Sequence, residues 1–257
     1  MDLITSASNP LIKQARALQK KKARLESKTF LVEGIYHVAE AIQAGWDVDV
    51  VLYAPDLLTS PFAKDLLDGV AHIKLQPISA HLLESLAGKE NPQGILAVVK
   101  QKEFKFDDVK NVQRAVALVS PQDPGNVGTI LRTIDAINID ALFLLEGGVE
   151  LYHPTVIRAS MGTIFWKPII QASFTEFVAW TKQKNIQLIG TSAKADVSYQ
   201  SLIPQIPWAL ILGNEQKGLT KEQVDVCDVT VSIPMSGRVS SLNLSVAAGV
   251  LLYGLRK

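Results

Sequence analysis

The feature that most limits what this chain can fold into is a set of short, uniformly apolar runs, each running into a polar loop that carries glycine or proline. Ala209-Leu210-Ile211-Leu212 is the plainest of them. A strand with one face in water alternates apolar and polar residues, so a run apolar throughout belongs to a sheet covered on both faces. Helix-like periodicity fills the intervals between such runs, and the pattern predicts an α/β fold with a mainly parallel sheet. In that architecture ligands gather beyond the carboxyl ends of the strands. Three loops fall there. Asp123-Pro124-Gly125-Asn126-Val127-Gly128, with Arg132 beyond it, follows the run Ala115 to Val119. Gly213-Asn214-Glu215-Gln216-Lys217-Gly218 follows Trp208 to Leu212. Ile233-Pro234-Met235-Ser236-Gly237, leading to Ser241-Leu242-Asn243-Leu244-Ser245, follows Val229 to Ile233.

The second half is expected to alternate strand Ala115 to Ser120, helix Gly128 to Ile137, strand Ala141 to Leu145, helix Pro154 to Met161, strand Ile164 to Ile170 and helix Phe174 to Lys184. Strand Ile186 to Thr191, strand Trp208 to Leu212, a short helix near Lys221 to Val226, strand Val229 to Ile233 and helix Asn243 to Leu255 complete it. The first hundred residues read as a smaller α/β unit: strand Thr29 to Val32, helix Ile35 to Ala44, strand Val48 to Tyr53, a helix near Phe62 to Leu67, strand His72 to Leu75, helix His81 to Ala87 and strand Gly94 to Val99. Lys100 to Asn111 is polar and without clear period, as a connection between domains would be. These features divide the chain into domains at 1–107 and 108–257.

Composition narrows the function classes. No apolar stretch approaches the ~20 residues that a membrane span needs. The N-terminus lacks the charged-then-apolar plan of a secretory signal, and the only cysteine, Cys227, has no intrachain partner. A reducing, cytoplasmic setting is therefore expected. His37, His72, His81 and His153 stand far apart, none at a metal-ligand spacing, and no metal is expected.

The net charge of +1 conceals an uneven distribution, because the first thirty residues hold seven basic side chains against two acids. If Pro10 to Lys28 is one helix, Leu11, Ala15, Leu18 and Leu25 share one side. Lys13, Arg16, Lys20 and Arg24 line the other as a basic stripe. A solvated face is the plain alternative, but such a face usually alternates sign, and so few acids are interleaved here that an RNA phosphate backbone is the expected ligand.

Taken singly, the loops are ambiguous. The first opens a helix whose early N–H groups favour an anion, so it is a place for a phosphate or an ordinary strand-to-helix turn. Glu215 in the second is a functional carboxylate or a cap on the following helix. The third leads into a helix rich in small residues (Ser245, Ala247, Ala248, Gly249), which suits close packing or a dimer interface.

All three in this order resemble the SpoU (TrmH) family of RNA 2′-O-ribose methyltransferases, of the SPOUT superfamily. Asn126-Val127-Gly128 with Arg132 is similar to the family's first motif, and Leu212-Gly213-Asn214-Glu215 with Gly218 to its second. Ile233-Pro234-Met235 through Ser241-Leu242-Asn243-Leu244-Ser245 is similar to its third. The first half resembles the family's L30e-like substrate-binding domain through Asn9-Pro10-Leu11-Ile12-Lys13, Phe30-Leu31-Val32-Glu33-Gly34 and Asn91-Pro92-Gln93-Gly94.

The resemblance implies a C-terminal trefoil knot that bends S-adenosylmethionine (SAM), and a homodimer in which a second subunit completes the site. An unknotted doubly wound sheet is the alternative that general topology favours. Arg132 is then the group that stabilises charge developing on the ribose oxygen, since a guanidinium holds its proton too firmly to act as a base. Asn126, Ser241 and Asn243 would orient the ribose and the arginine, and Glu215 would fix the arginine or a ribose hydroxyl. The cofactor slot would draw on Leu212, Gly213, Asn214, Gly218, Ile233, Met235, Leu242 and Leu244, with Thr191 and Ser192 at a neighbouring strand end. The two-domain layout implies ribosomal RNA of the large subunit as substrate. A transfer RNA ribose methyltransferase, a base-methylating relative and a noncatalytic RNA-binding protein are the alternatives.

Overall fold

Asn9 starts the first helix, its side chain accepting from Leu11 N at 2.9 Å while Pro10 fills the first helical position. The computed structural model describes residues 2–70, 73–88 and 91–256. Its first elements are α1 (Pro10–Ala17), α2 (Lys21–Ser27), β1 (Thr29–Glu33), α3 (Ile35–Gln43), β2 (Val48–Tyr53), α4 (Pro61–Gly69), β3 (Leu75–Pro77), α5 (Ala80–Leu86) and β4 (Ile95–Lys100). The four strands form a sheet in the order β1-β4-β2-β3, antiparallel except for the β2–β3 pair. One face of it is covered by Ile12, Ala15 and Leu18 of the first helical stretch and Leu82, Leu83 and Leu86 of α5, packed on Leu52, Leu96 and Val98. The expected strand from His72 to Leu75 instead runs over Leu75–Pro77, where β2 supplies partners for Leu75, Gln76 and Pro77; His72 lies outside the described residues.

The single helix expected from Pro10 to Lys28 is broken. Gln19 N and Lys20 N bond three residues back, to Arg16 O and Ala17 O, and this tightened turn ends α1 before α2 starts. The break turns Arg24 inward. It is 2% exposed, and its Nη1 donates to Leu18 O at 2.7 Å, while Leu25 faces solvent at 49% exposure. The basic stripe therefore comprises Lys13, Arg16 and Lys20, all exposed, without Arg24. Arg16 also donates to Ser85 Oγ at 3.0 Å.

The second half contains β5 (Arg114–Val119), α6 (Pro124–Ala136), β6 (Ala141–Leu145), α7 (Pro154–Ala159), β7 (Ile169–Ala172), α8 (Phe174–Gln183), β8 (Gln187–Thr191) and β9 (Val197–Ser198). It ends with β10 (Trp208–Leu212), α9 (Lys221–Asp225), β11 (Val229–Ser232) and α10 (Leu244–Leu255). A seven-stranded sheet runs β7-β6-β5-β10-β8-β11-β9, and every pair in it is parallel. Each residue of β6 and of β10 is buried, as their apolar sequences require. On one face Phe143 of β6 packs at a tilt against Phe177 and Trp180 of α8, at ring distances of 4.8 and 5.0 Å. The strand expected over Ile164 to Ile170 begins only at Ile169, because residues 163–165 form a 3₁₀ turn after Gly162, whose φ is +86°. Pro168, without an N–H, precedes the ladder.

The chain divides into Met1–Lys102 with Tyr152–Trp166, and Glu103–Leu151 with Lys167–Lys257. The segment that contains α7 therefore groups with the N-terminal unit, although its sequence position falls within 108–257. Aromatic packing accounts for this. Tyr152 lies 4.5 Å from Phe30, Phe165 lies 5.3 Å from Trp46, and Trp46 Nε1 donates to Phe165 O at 2.9 Å. Trp46→Ala removes a side chain only 7% exposed from this cluster and should cost about 3–5 kcal/mol of stability, read as a lower urea midpoint for the N-terminal unit.

Candidate functional site

The three motif loops leave the same side of one parallel sheet, with β5 beside β10, and with β8 between β10 and β11. Asp123 caps α6, accepting from Gly125 N at 2.7 Å with Pro124 at the first helical position, so the helix starts four residues before the expected Gly128. Asn126 accordingly lies within the first turn of α6, and it is 6% exposed.

Glu215 fastens the second loop to the first. Its carboxylate accepts from Gln122 N at 3.0 and 3.1 Å, from Asp123 N at 3.2 Å and from Asn126 Nδ2 at 3.4 Å. Gln122 N and Asp123 N are thus taken by a carboxylate of the same chain and Gly125 N by Asp123, so the phosphate considered for that loop would meet the charge of Glu215 at the entrance to α6. Nor is Glu215 the cap of the next helix: Thr220 fills that position, in a capping box with Gln223. Asn214 secures the same loop, donating from Nδ2 to Ser120 O at 2.9 Å and accepting at Oδ1 from Gln216 N and Lys217 N. Gly213 must lack a side chain, since a Cβ there would stand 2.2 Å from Gly218 C.

The third loop ends at Asn243, which caps α10 rather than belonging to it, as the expected start at Asn243 had it. Its Oδ1 accepts from Ser245 N at 2.9 Å, Ser245 Oγ at 2.7 Å and Val246 N at 3.4 Å. That commits the amide oxygen and leaves Nδ2 as the donor that can face a ligand. Among the described residues, no backbone N–H or C=O of residues 233–242 is hydrogen-bonded within the protein.

The second and third loops, with the end of β8, surround a cavity of about 780 Å³, and the first loop joins them through Glu215. Its lining includes Thr191 and Ser192 at the end of β8, then Leu212, Gly213, Asn214, Glu215 and Gly218 at the end of β10 and beyond it. Ile233, Met235, Ser241, Leu242, Asn243 and Leu244 line it from the third loop. The hydroxyl of Thr191 donates to Ile211 O at 3.0 Å and ties β8 to β10 at the cavity's edge. Asn126 reaches this group only through Glu215, and Arg132 is not in the lining. Arg132 sits exposed on α6 with no hydrogen bond or ion pair among the described residues. Motif reading passed over Lys194, Gln216, Lys217, Ser240, Ala247 and Leu251, which also line the cavity. Lys217 stands inside a quoted motif, so its signal was present; Lys194 had none beyond its place after a strand.

Cys227 lies behind the wall, with Sγ near Gly190 and donating to Gln223 O at 3.2 Å. Burial, with the charge of Asp228 second, pushes its thiol up to about 11, which keeps it protonated and unreactive at neutral pH.

An all-parallel sheet with a ligand cavity built from three carboxyl-end loops defines an α/β enzyme-like domain, here joined to a smaller α/β unit. Residues 113–253 match the SpoU rRNA Methylase family, and residues 9–97 match the MRM3-like substrate binding domain. The chain belongs to the SpoU rRNA methylase family. It is 31% identical over the full length of both chains to the Bacillus subtilis 23S rRNA (guanosine(2553)-2′-O)-methyltransferase RlmP. A Streptomyces viridochromogenes 23S rRNA (uridine(2479)-2′-O)-methyltransferase is also 31% identical, over 97% of this chain and 90% of that one. The crystal structure of an AdoMet-bound rRNA methyltransferase from Sinorhizobium meliloti superposes with a TM-score of 0.91 at 29% identity, covering 99% of this chain and 97% of that one.

Glu215→Ala should release the first two loops from each other and lower stability on the order of 1–3 kcal/mol, with Glu215→Gln intermediate, both read by urea denaturation.

Proposed function

We propose that this chain transfers the methyl group of S-adenosylmethionine to a ribose 2′-hydroxyl of large-subunit ribosomal RNA. The observation that carries the reading is one cavity lined by the second and third motif loops, with the first loop bound to the second through Glu215. The relatives named above are 23S rRNA 2′-O-methyltransferases, and the crystal structure named above is AdoMet-bound, which supports the same substrate class and cofactor.

The donor set fits the cofactor. The cavity has the volume of a nucleoside-sized ligand site, an apolar floor of Leu212, Val231, Ile233, Leu244 and Leu251, and a third loop whose backbone polar groups have no protein partner. Thr191, Ser192, Leu212, Gly213, Gly218, Ile233, Met235, Leu242 and Leu244 would hold it, and bound there it supplies an electrophilic methyl group. Asn214 acts by holding its loop in shape rather than by offering its amide. Asn243 Nδ2 and the Ser241 hydroxyl orient the ribose, while Glu215 and Asn126 keep the first two loops in register. Arg132 would stabilise the charge that develops on the 2′-oxygen as the oxygen–carbon bond replaces the carbon–sulfur bond of the bound donor and the hydroxyl proton passes to solvent.

A homodimer gives Arg132 its place. Exposed beyond its own cavity, it sits on α6, which packs against α10. The outer face of α10 presents Val246 at 51% exposure and Tyr253 at 58%, with Gly249 and Val250 between them at helical spacing. A second copy against that face would cover the apolar stripe and bring one protomer's Arg132 toward its partner's cavity. The path of the third loop supports the trefoil knot, since α10 follows β11 yet packs against β10 and α6, on the other side of β8. Ribosomal RNA as substrate agrees with a cytoplasmic setting.

Labelled SAM with purified ribosomal RNA should yield a 2′-O-methylnucleoside, whereas label on a base, or only on transfer RNA, would overturn the reading. Arg132→Ala should lower turnover by 100-fold or more while SAM affinity stays within twofold, and mixing it with Asn243→Ala should restore activity if protomers share the site. Reversing the charges of Lys13, Arg16 and Lys20 together should weaken RNA binding and flatten its salt dependence without changing SAM affinity; steady RNA affinity would make them a solvated face.

A further inference from the structure

The cavity's charges do not balance. Among its described lining residues Glu215 is the one carboxylate, and the backbone of the first loop and Asn126 already engage it. Lys194 and Lys217 are the two cations in the lining, both exposed and neither hydrogen-bonded through its ammonium nor ion-paired among the described residues. Asp196, two residues beyond Lys194, pairs with neither.

Both lysines stand on turns that the fold holds firmly. Lys194 N donates to Ser192 Oγ at 3.1 Å, and Ser192 N donates to Val231 O at 3.0 Å, so its root is fixed at the end of β8. Lys217 N donates to Asn214 Oδ1 at 3.2 Å, and Gly218 N to Asn214 O at 2.8 Å, which fixes its root at the end of β10. β8 and β10 are neighbours in the sheet, so the two roots rise from adjacent strands at the same end. Rigid roots lower the ordering cost of a contact made by a long, flexible side chain.

We propose that Lys194 and Lys217 are positioning residues that grip the phosphates flanking the target ribose at the cavity mouth, and so set the register of the RNA strand over the cofactor. The inference rests on the methyltransferase reading and deepens it. SAM itself carries a net positive charge, with a sulfonium, an ammonium and one carboxylate. Placing two further cations beside it is unfavourable unless a polyanion enters over them, and an RNA backbone satisfies that condition where a neutral or cationic substrate does not. Phosphate contacts of this kind fix orientation without reading sequence.

The test compares the K194Q/K217Q double variant with K194R/K217R and the unaltered chain. RNA affinity is measured on an unmodified large-subunit rRNA transcript across a potassium chloride series, SAM affinity by calorimetry, and turnover with labelled SAM. The Gln pair should weaken RNA binding about 10-fold and make the slope of log K against log salt shallower by roughly 1.4–1.8, the loss of two phosphate contacts. Its effect on turnover should lie in KM for RNA, with kcat and SAM affinity within twofold, and the Arg pair should retain RNA affinity. Loss of SAM affinity with an unchanged salt slope would overturn the proposal and assign the lysines to the cofactor's carboxylate; no change in either affinity would make them solvated cations. If the unaltered chain methylates no RNA, the methyltransferase reading fails by itself, while the salt slopes still report whether the lysines contact RNA.

Discussion

The contact between Glu215 and the entrance of α6 is the interaction on which the rest of the site depends. Two loops from adjacent strands could hinge independently, but a carboxylate that accepts from Gln122 N, Asp123 N and Asn126 Nδ2 makes them one body. The helix dipole favours an anion at that point, so the contact uses a field that the fold already provides. Asn214 adds a second tie to Ser120 O, and Gly213 makes room for the tight return at Gly218. A polar loop assembled this way presents fixed backbone groups to the cavity, which is what lets binding energy be used for orientation instead of loop ordering.

Much of this was legible in the sequence, and the reasons differ from element to element. The strands Ala141–Leu145 and Trp208–Leu212 begin and end where the uniformly apolar runs do, because a fully covered parallel strand tolerates no polar residue and so marks its own limits. The motif order pointed to the cavity for the same reason, since loops after parallel strands share one edge. Less local facts were out of reach. Arg24 looked like a stripe residue because helical spacing was extended across a break that depends on two backbone bonds at Gln19 and Lys20. The grouping of Tyr152–Trp166 with the N-terminal unit depends on ring packing with Phe30 and Trp46, more than a hundred residues away in sequence. Glu215's actual partners were hidden too, because backbone N–H groups leave no signature in a sequence.

Arg132 shows how an incomplete constellation can be informative. Much of α6 divides between core and surface, with Val127, Ile130, Leu131 and Ile134 buried and Thr129 and Asp135 exposed, while buried Asn126 meets Glu215. A motif arginine on the exposed side serves no packing purpose there, and no carboxylate of the described chain neutralises it. The exposed apolar stripe of α10, which packs against α6, is the second incomplete feature. One event, association of two copies through these helices, would resolve both. Two unrelated explanations would be needed otherwise, a solvated apolar helix face and an arginine kept for no contact.

The same economy separates the tasks of the methylase unit. Residues from β8 to α10 build the cavity continuously, and the hydrogen bonds that shape it come from within that segment and from the first loop. The cations that can meet RNA, Arg132 on α6 and Lys194 and Lys217 at the rim, are held at their roots but extend into solvent. A cavity that combines apolar side chains with the fixed polar groups of the second loop suits a small ligand that must be held in one pose, whereas flexible cations on fixed roots suit a polyanion whose sugar must be brought to that pose from many encounters. The physical division between a shaped cavity and a charged rim would then also be a division between binding the donor and presenting the acceptor.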